Sequence, residues 1–113
     1  MHISKTNKRA ITAWGLLNRE IIEIWLFGSR ARGDHRPDSD IYLAIVTAGE
    51  TLAERLACWL CGEWREGPKL SHQVHLHWYD LDAETKAVKP GVERDGFLLF
   101  RRNDPSRPRR RSG

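Results

Sequence analysis

The chain has 113 residues, 40% of them apolar, which suits one domain built around a single modest core. Its formal charge of +4 arises in the tail, because residues 101–113 hold six of the 19 basic residues and one of the 15 acidic residues, and the remainder is close to neutral. Two cysteines exclude a disulfide framework, and no apolar stretch is long enough to cross a membrane, so we expect a protein of the reducing cytoplasm.

The first 46 residues predict one helix and two strands. Ser4 is a typical N-cap residue, and the apolar spacing predicts a helix over residues 4–18. The residues expected on its buried face are Ala10, Ile11, Trp14 and Leu17. Residues 20–27 are β-branched and aromatic, which predicts a first strand that ends at Gly28. Residues 41–46 are apolar throughout, which predicts a central strand covered on both faces.

A second helix is predicted after this strand. It would start at Thr47 or Thr51 and run to about Arg65, because Gly67 and Pro68 then stop it. The residues expected on its buried face are Leu52, Leu56, Trp59 and Leu60. Their spacing is the clearest amphipathic pattern in the chain.

The last third predicts two more strands and an interrupted helix. Residues 73–79 alternate between two sets of side chains, which is typical of a half-buried strand. One set is Val74, Leu76 and Trp78, and the other is His75, His77 and Tyr79. Asp82 is expected to cap a helical stretch that Pro90-Gly91 interrupts or bends, before a last strand over residues 96–100. The domain would then cover residues 1–101, and residues 102–113 would form a disordered, Arg-rich tail.

The loop between the first two strands holds residues suited to phosphate chemistry. Gly28 lets the backbone approach a bulky anion, and Ser29 adds a hydroxyl beside backbone N–H groups. Arg30 and Arg32 supply planar guanidinium groups that match phosphate oxygens. Asp40 supplies a carboxylate toward the Mg²⁺ that accompanies the phosphates. The loop therefore predicts a site for ATP or another nucleoside triphosphate.

This stretch resembles the minimal nucleotidyltransferases of the DNA polymerase beta-like superfamily, whose signature is Gly-Ser, ten residues, then Asp-x-Asp. In this chain Gly28-Ser29 is followed by ten residues and then by Asp40-Ile41-Tyr42. The resemblance implies an α+β fold with a mixed sheet of about four strands flanked by helices. It also implies transfer of a nucleotidyl group, AMP, to a hydroxyl, with Asp40 as the catalytic carboxylate and Mg²⁺ or Mn²⁺ as the cofactor.

Two metal-binding positions of the family differ in this chain. Tyr42 stands in place of the second carboxylate of the signature, and His75 stands in place of the third, which the family carries on a later strand. The expected metal ligands are therefore Asp40 and His75, and a metal should be held weakly, if at all. Two functions stay open: an active nucleotidyltransferase, and a degenerate nucleotidyltransferase fold that acts as a binding or interaction module.

Three alternatives would change the site. An earlier start of the second strand would make Asp38 and Asp40 the Asp-x-Asp pair, although the proline just before them favours a loop. His75 and His77 together with Asp40 would suit Mn²⁺, Zn²⁺ or Co²⁺ better than Mg²⁺. Tyr42 could itself accept the nucleotide.

The Cys58-x2-Cys61 motif allows a redox or a zinc interpretation. Its expected place in the middle of a helix favours core packing over redox chemistry, since reactive thiols of this kind lie at a helix N-terminus. With His72 and His75 the cysteines approach a zinc-binding pattern without matching its usual spacings.

Two macromolecular partners are predicted on separate grounds. The family resemblance implies a helical HEPN-domain protein in a toxin–antitoxin pair in which this chain is the antitoxin. The Arg-rich tail predicts contacts with the phosphates of nucleic acid, against the alternative of a solvated extension.

Overall fold

The fold is a four-stranded sheet with helices on both faces, observed in a computed structural model that describes residues 3–34, 36, 38–62 and 66–102. In chain order the elements are α1 (Lys5–Leu17), β1 (Ile21–Phe27), α2 (Ser29–Arg32), β2 (Ile41–Thr47), α3 (Leu52–Cys61), β3 (Val74–Trp78), α4 (Val88–Asp95) and β4 (Phe97–Arg101). Among the described residues, no helix combines the length and the apolar character needed to cross a membrane.

The sheet is mixed, with the strand order β3-β2-β1-β4. β1 pairs antiparallel with both β2 and β4, whereas β2 and β3 run parallel. The two most apolar strands, β1 and β2, are thus central, and the prediction of a central strand at β2 is confirmed. The predicted α+β fold with a mixed four-stranded sheet is confirmed.

Each face of the sheet has its own apolar cluster, because successive side chains of a strand point to opposite faces. The larger cluster lies under α1 and is built on Ile11, Ile21, Ile24, Leu26, Ile41, Leu43, Ile45, Leu99 and Phe100. The smaller cluster lies under α4 and is built on Phe27, Ala44, Tyr79, Val88 and Val92. The predicted phosphate loop joins the two central strands at one end of this sheet.

The predicted buried face of the first helix is wrong at Leu17, whose side chain is 82% exposed. The buried positions are Asn7, Ile11 and Gly15, four residues apart. Gly15 lies so close to the sheet that an added Cβ would be 3.0 Å from Phe100 Cδ2. The helix therefore packs through its smallest residue, and Leu17 is turned toward solvent.

The predicted buried face of the second helix is wrong at its leucines, whereas Trp59 is partly buried and packs against the larger cluster as predicted. A capping box between Thr51 and Glu54 fixes the start of α3, which settles the choice of first residue. The outward residues are leucines that were expected in the core, namely Leu52, Leu56 and Leu60, which are exposed. Arg55 faces inward instead, and the helix ends at Cys61; the predicted end at Arg65 lies outside the described residues.

Arg55 is held inside the fold by two carboxylates. Its Nε donates to Asp80 Oδ2 at 2.5 Å, and its Nη2 donates to Asp80 Oδ1 at 3.2 Å and to Asp82 Oδ2 at 2.7 Å. The hydrogen bond to Asp80 raises the pKa of Arg55 above its ordinary value. Asp80 is only 3% exposed, so this pair joins α3 to the end of β3 through a buried ionic contact.

The expected helix cap at Asp82 is wrong, because the Asp82 side chain pairs with Arg55 and α4 begins only at Val88. Pro90 lies in the first turn of α4, where a missing N–H costs no intrahelical hydrogen bond, so the helix is not interrupted there. One residue that was expected in the tail also contacts the rest of the chain. Arg102, expected in the tail, donates from Nε to Ile21 O at 2.9 Å and from Nη2 to Asn18 O at 3.2 Å.

Candidate nucleotide site

Gly28 turns the chain at the end of β1 with a φ of +87°, a left-handed conformation that strains any other residue. The single turn α2 follows, in which Ala31 N donates to Gly28 O at 3.0 Å and Gly33 N donates to Ser29 O at 2.8 Å. A Cβ at Gly28 would lie 3.7 Å from Tyr42 Cβ. The loop therefore begins directly beside the β2 position where the chain departs from the family signature.

Arg30 braces this loop from within. It is only 6% exposed, and its Nε and Nη2 donate to Ser39 O at 3.2 and 2.9 Å. The guanidinium predicted to bind phosphate is thus engaged in joining the start of the loop to its end. Sequence reasoning missed Ser39, and no signal in the sequence could have found it, because the acceptor is a backbone carbonyl.

Arg32 has the exposed position that a phosphate ligand needs. Its side chain is 40% exposed and its Nε pairs with Asp34 Oδ2 at 3.2 Å. A pair this exposed contributes little free energy, about 0–1 kcal/mol, so an arriving phosphate can replace the Asp34 carboxylate. The neighbouring Ser29 hydroxyl donates to and accepts from no group in the described part of the chain.

Asp40, Tyr42 and His75 come together on one side of the sheet. Asp40 immediately precedes β2, and Tyr42 is the cross-strand neighbour of His75 on β3. Asp40 Oδ2 and His75 Nε2 are 2.8 Å apart, and the Tyr42 and His75 rings are stacked with centroids 4.8 Å apart at an interplanar angle of 17°. Both altered residues thus lie on the same side of the sheet as Asp40, and Tyr42 also lies beside Gly28.

His77 packs among aromatic rings. Its ring is 5.9 Å from that of Tyr42 and 5.6 Å from that of Phe27. Burial lowers the pKa of His77, and the adjacent His75 lowers it further. His77 thus packs against the rings of Phe27 and Tyr42, and His75 is the histidine hydrogen-bonded to Asp40. Among the described residues no three possible ligands come together, which disfavours the alternative in which both histidines bind a metal with Asp40.

The hypothesis of an earlier second strand is wrong. β2 begins at Ile41, and Asp38 is an exposed residue in a turn before it. Ser39, between the two aspartates, is tied to the loop: its Oγ accepts from Arg36 N at 2.8 Å and its carbonyl accepts from Arg30. Asp40 is thus the one carboxylate of the signature that lies against β3.

The family's metal centre does not fit these residues. Within the described ranges, no three His, Cys, Asp or Glu side chains come together as a group that could hold a metal ion. Mg²⁺ requires several oxygen ligands, whereas Asp40 is bonded to an imidazole and flanked by an aromatic ring. The described residues offer the Gly28-Ser29 loop next to one carboxylate and lack the cluster that two metal ions need.

The cysteines supply no site either. Cys58 is half-buried and Cys61 exposed, and both are free thiols on α3. Burial raises the pKa of Cys58, which favours the unreactive thiol over the thiolate. This agrees with packing for Cys58 and disfavours the redox interpretation. The prediction of core packing is wrong for Cys61, which is exposed at the last residue of α3.

Comparison with known proteins agrees with this geometry. A family model described as "Polymerase beta, Nucleotidyltransferase" matches residues 11–105. No curated protein matches the chain. A crystal structure of a toxin–antitoxin with AMP-PNP is similar over 86% of this chain and 75% of that chain, with 23% identity and a TM-score of 0.55. A candidate nucleotidyltransferase from Sulfolobus solfataricus is similar over 87% of this chain and 79% of that chain, with 23% identity and a TM-score of 0.50. At these identities the two structures show a shared fold.

Proposed function

Because the chain belongs to the polymerase beta nucleotidyltransferase family, we propose that it binds the phosphates of ATP or another nucleoside triphosphate at the Gly28-Ser29 loop and transfers AMP slowly or not at all. The observation that supports this most directly is the hydrogen bond between Asp40 and His75. It engages the one remaining carboxylate of the signature with an imidazole, while hydrogen bonds from Arg30 to Ser39 O brace the loop that precedes it.

Loss of transfer follows from the ligands that the site lacks. Nucleotidyl transfer in this family relies on divalent metal ions, which stabilise the attacking and leaving oxygens of the reacting phosphate. Tyr42 offers a phenol and His75 an imidazole at positions where Mg²⁺ prefers carboxylate oxygens. Mg²⁺ or Mn²⁺ would therefore be held weakly by Asp40, and phosphate binding at the loop does not depend on it.

Phosphate binding would use groups that the loop already presents. The Ser29 hydroxyl and the loop amides would donate to phosphate oxygens, and the exposed Arg32 would add a charge-assisted contact. Arg30 would act indirectly by holding the loop closed through Ser39. Its role thus changes from the phosphate ligand expected from the sequence to a residue that positions the loop.

We expect the Ser29→Ala, Arg32→Ala double variant to weaken ATP binding about tenfold or more, because it removes a neutral and a charged hydrogen bond. Isothermal titration calorimetry of the wild type and the variant with ATP measures this effect. The matched control is Arg94→Ala on α4, an exposed arginine that pairs with its neighbour Asp95. Equal heats for the wild type and the double variant would contradict the loop as the phosphate site.

A role as an antitoxin is the second proposal, and it is supported by the similarity to a structure of a toxin–antitoxin. The resemblance to minimal nucleotidyltransferases supplies a helical HEPN-domain protein as the partner. Co-expression with a HEPN protein from the same genome, followed by affinity purification and size-exclusion chromatography, tests it. A stoichiometric complex is the expected result, and separate elution of the two proteins would contradict it.

Contacts of the tail with nucleic acid stay a prediction, since residues 103–113 lie outside the described residues.

A further inference from the structure

The outward side of α1 carries a stripe of residues that the fold does not use. Lys5, Lys8, Arg9, Thr12, Ala13 and Leu16 line a shallow groove of about 360 Å³ along the helix, and we name these six residues the α1 seam. The opposite side of the helix is fixed on the sheet by Ile11 and Gly15. The α1 seam is therefore held toward solvent, and the Leu16 side chain is 59% exposed there.

The spacing within the α1 seam is that of a helix-packing surface. Lys5, Arg9, Thr12 and Leu16 are separated by four, three and four residues, which is the alternation that places side chains along the contact line between two helices. Lys8 and Ala13 flank this line. The small Ala13 would let a second helix approach closely, and Leu16 would supply an apolar contact at the end of the groove.

The basic residues of the α1 seam lie near the N-terminal end of α1, where positive charge lowers the stability of the helix. The first turn of α1 contains no acidic residue, and Lys5 follows directly on its N-cap, while Lys8 and Arg9 lie in the next turn. The helix dipole is positive at this end, so cations there are unfavourable. None of the three pairs with an acidic side chain in the ranges that the structure describes. An acidic partner would relieve the mutual repulsion of the three cations and the unfavourable dipole interaction of Lys5.

We propose that the α1 seam binds an amphipathic helix of a second protein, with Asp or Glu side chains against Lys5, Lys8 and Arg9 and an apolar side chain against Leu16. The proposal is independent of the nucleotide site, because α1 contributes none of the residues of the Gly28-Ser29 loop or of the Asp40 and His75 pair.

The charge pattern selects this occupant over two others. A second copy of the chain is disfavoured, because a parallel pairing of two α1 seams would oppose cations to cations, and an antiparallel pairing would oppose Lys5 and Arg9 to Leu16 and Thr12. The chain's own tail is disfavoured as well, since residues 103–113 contain four Arg and one Asp. Complementary charge requires an acidic segment from another protein.

A helical peptide of about four turns, with leucine at the contact positions and glutamate elsewhere, is the probe for this surface. Its lysine counterpart is the control peptide. We expect the acidic peptide to bind the full ¹⁵N-labelled chain with chemical-shift changes confined to α1, and the lysine peptide to leave the spectrum unchanged. Fluorescence anisotropy of the labelled peptide then gives the dissociation constant.

Matched variants identify the contact residues. The double variant Lys5→Glu, Arg9→Glu should weaken binding of the acidic peptide about tenfold or more, whereas Lys69→Glu, Lys86→Glu makes the same charge change at exposed sites elsewhere and should leave it within about twofold. Leu16→Glu should also abolish binding, and Leu56→Glu on α3 should not. The proposal would be overturned if the acidic peptide failed to bind or if the lysine peptide bound equally well. It would also be overturned if the control variants lost as much affinity for the acidic peptide as the test variants. Binding of anionic vesicles or DNA through α1 in preference to the acidic peptide would overturn it as well.

Discussion

Replacing Arg55 by alanine is expected to lower the free energy of unfolding by about 3–5 kcal/mol, because it leaves the Asp80 carboxylate buried without its partner. Asp80 is 3% exposed and accepts two hydrogen bonds from the guanidinium. A domain of this size is stable by about 5–15 kcal/mol, so the variant loses a large share of its stability. Urea denaturation followed by circular dichroism measures the change.

Asp82→Asn is the matched control for this effect. The Asp82 side chain is 71% exposed, so its pair with the same guanidinium should contribute only about 0–1 kcal/mol. Arg55→Lys should fall between the two, since it keeps the charge but loses the bidentate geometry. A loss of stability as small in Arg55→Ala as in Asp82→Asn would show that the buried pair does not join α3 to β3 as the structure indicates.

The two central strands and the loop between them could be predicted, because the sequence patterns that indicate them lie within short stretches of the chain. The two apolar runs on either side of Gly28 are each short and β-branched, and both form central strands. Which face of α3 is buried could not be predicted in the same way. Helical spacing finds a stripe of leucines, but whether that stripe points inward depends on Asp80, which lies 25 residues from Arg55.

The buried face of α1 and part of the candidate site also depend on contacts between residues that are distant in sequence. Leu17 is exposed because Gly15 allows the helix to approach Phe100, a contact that no local pattern contains. The meeting of His75 with Asp40 could be predicted, because alternation along β3 and the family motif both place His75 opposite the signature. The bracing by Arg30 could not, since its acceptor is a main-chain oxygen.

Tyr42→Asp together with His75→Asp is expected to raise the affinity for Mn²⁺ on the order of 100-fold, because affinity in oxygen-ligand sites follows the number of carboxylates. His75 Nε2 is 2.8 Å from Asp40 Oδ2, and the Tyr42 ring is 4.8 Å from that of His75, so carboxylates at both positions would come within reach of one ion. Without the ion the three carboxylates would repel one another, and added Mn²⁺ should therefore raise the melting temperature of this variant.

The matched control is Tyr42→Asn with His75→Asn, which removes the same two rings and adds no charge. If this neutral variant gained as much Mn²⁺ affinity as the aspartate variant, removal of the Tyr42 and His75 rings would explain the gain, and the number of carboxylates would not.

Electron paramagnetic resonance of Mn²⁺ titrated into the wild type, the neutral variant and the aspartate variant tests the central claim most directly, namely that this nucleotidyltransferase fold has lost its metal centre at Tyr42 and His75. The free-ion signal should persist with the wild type and with the neutral variant, and it should be lost on addition of the aspartate variant. Tight binding of Mn²⁺ by the wild type that Asp40→Asn abolishes would contradict the claim.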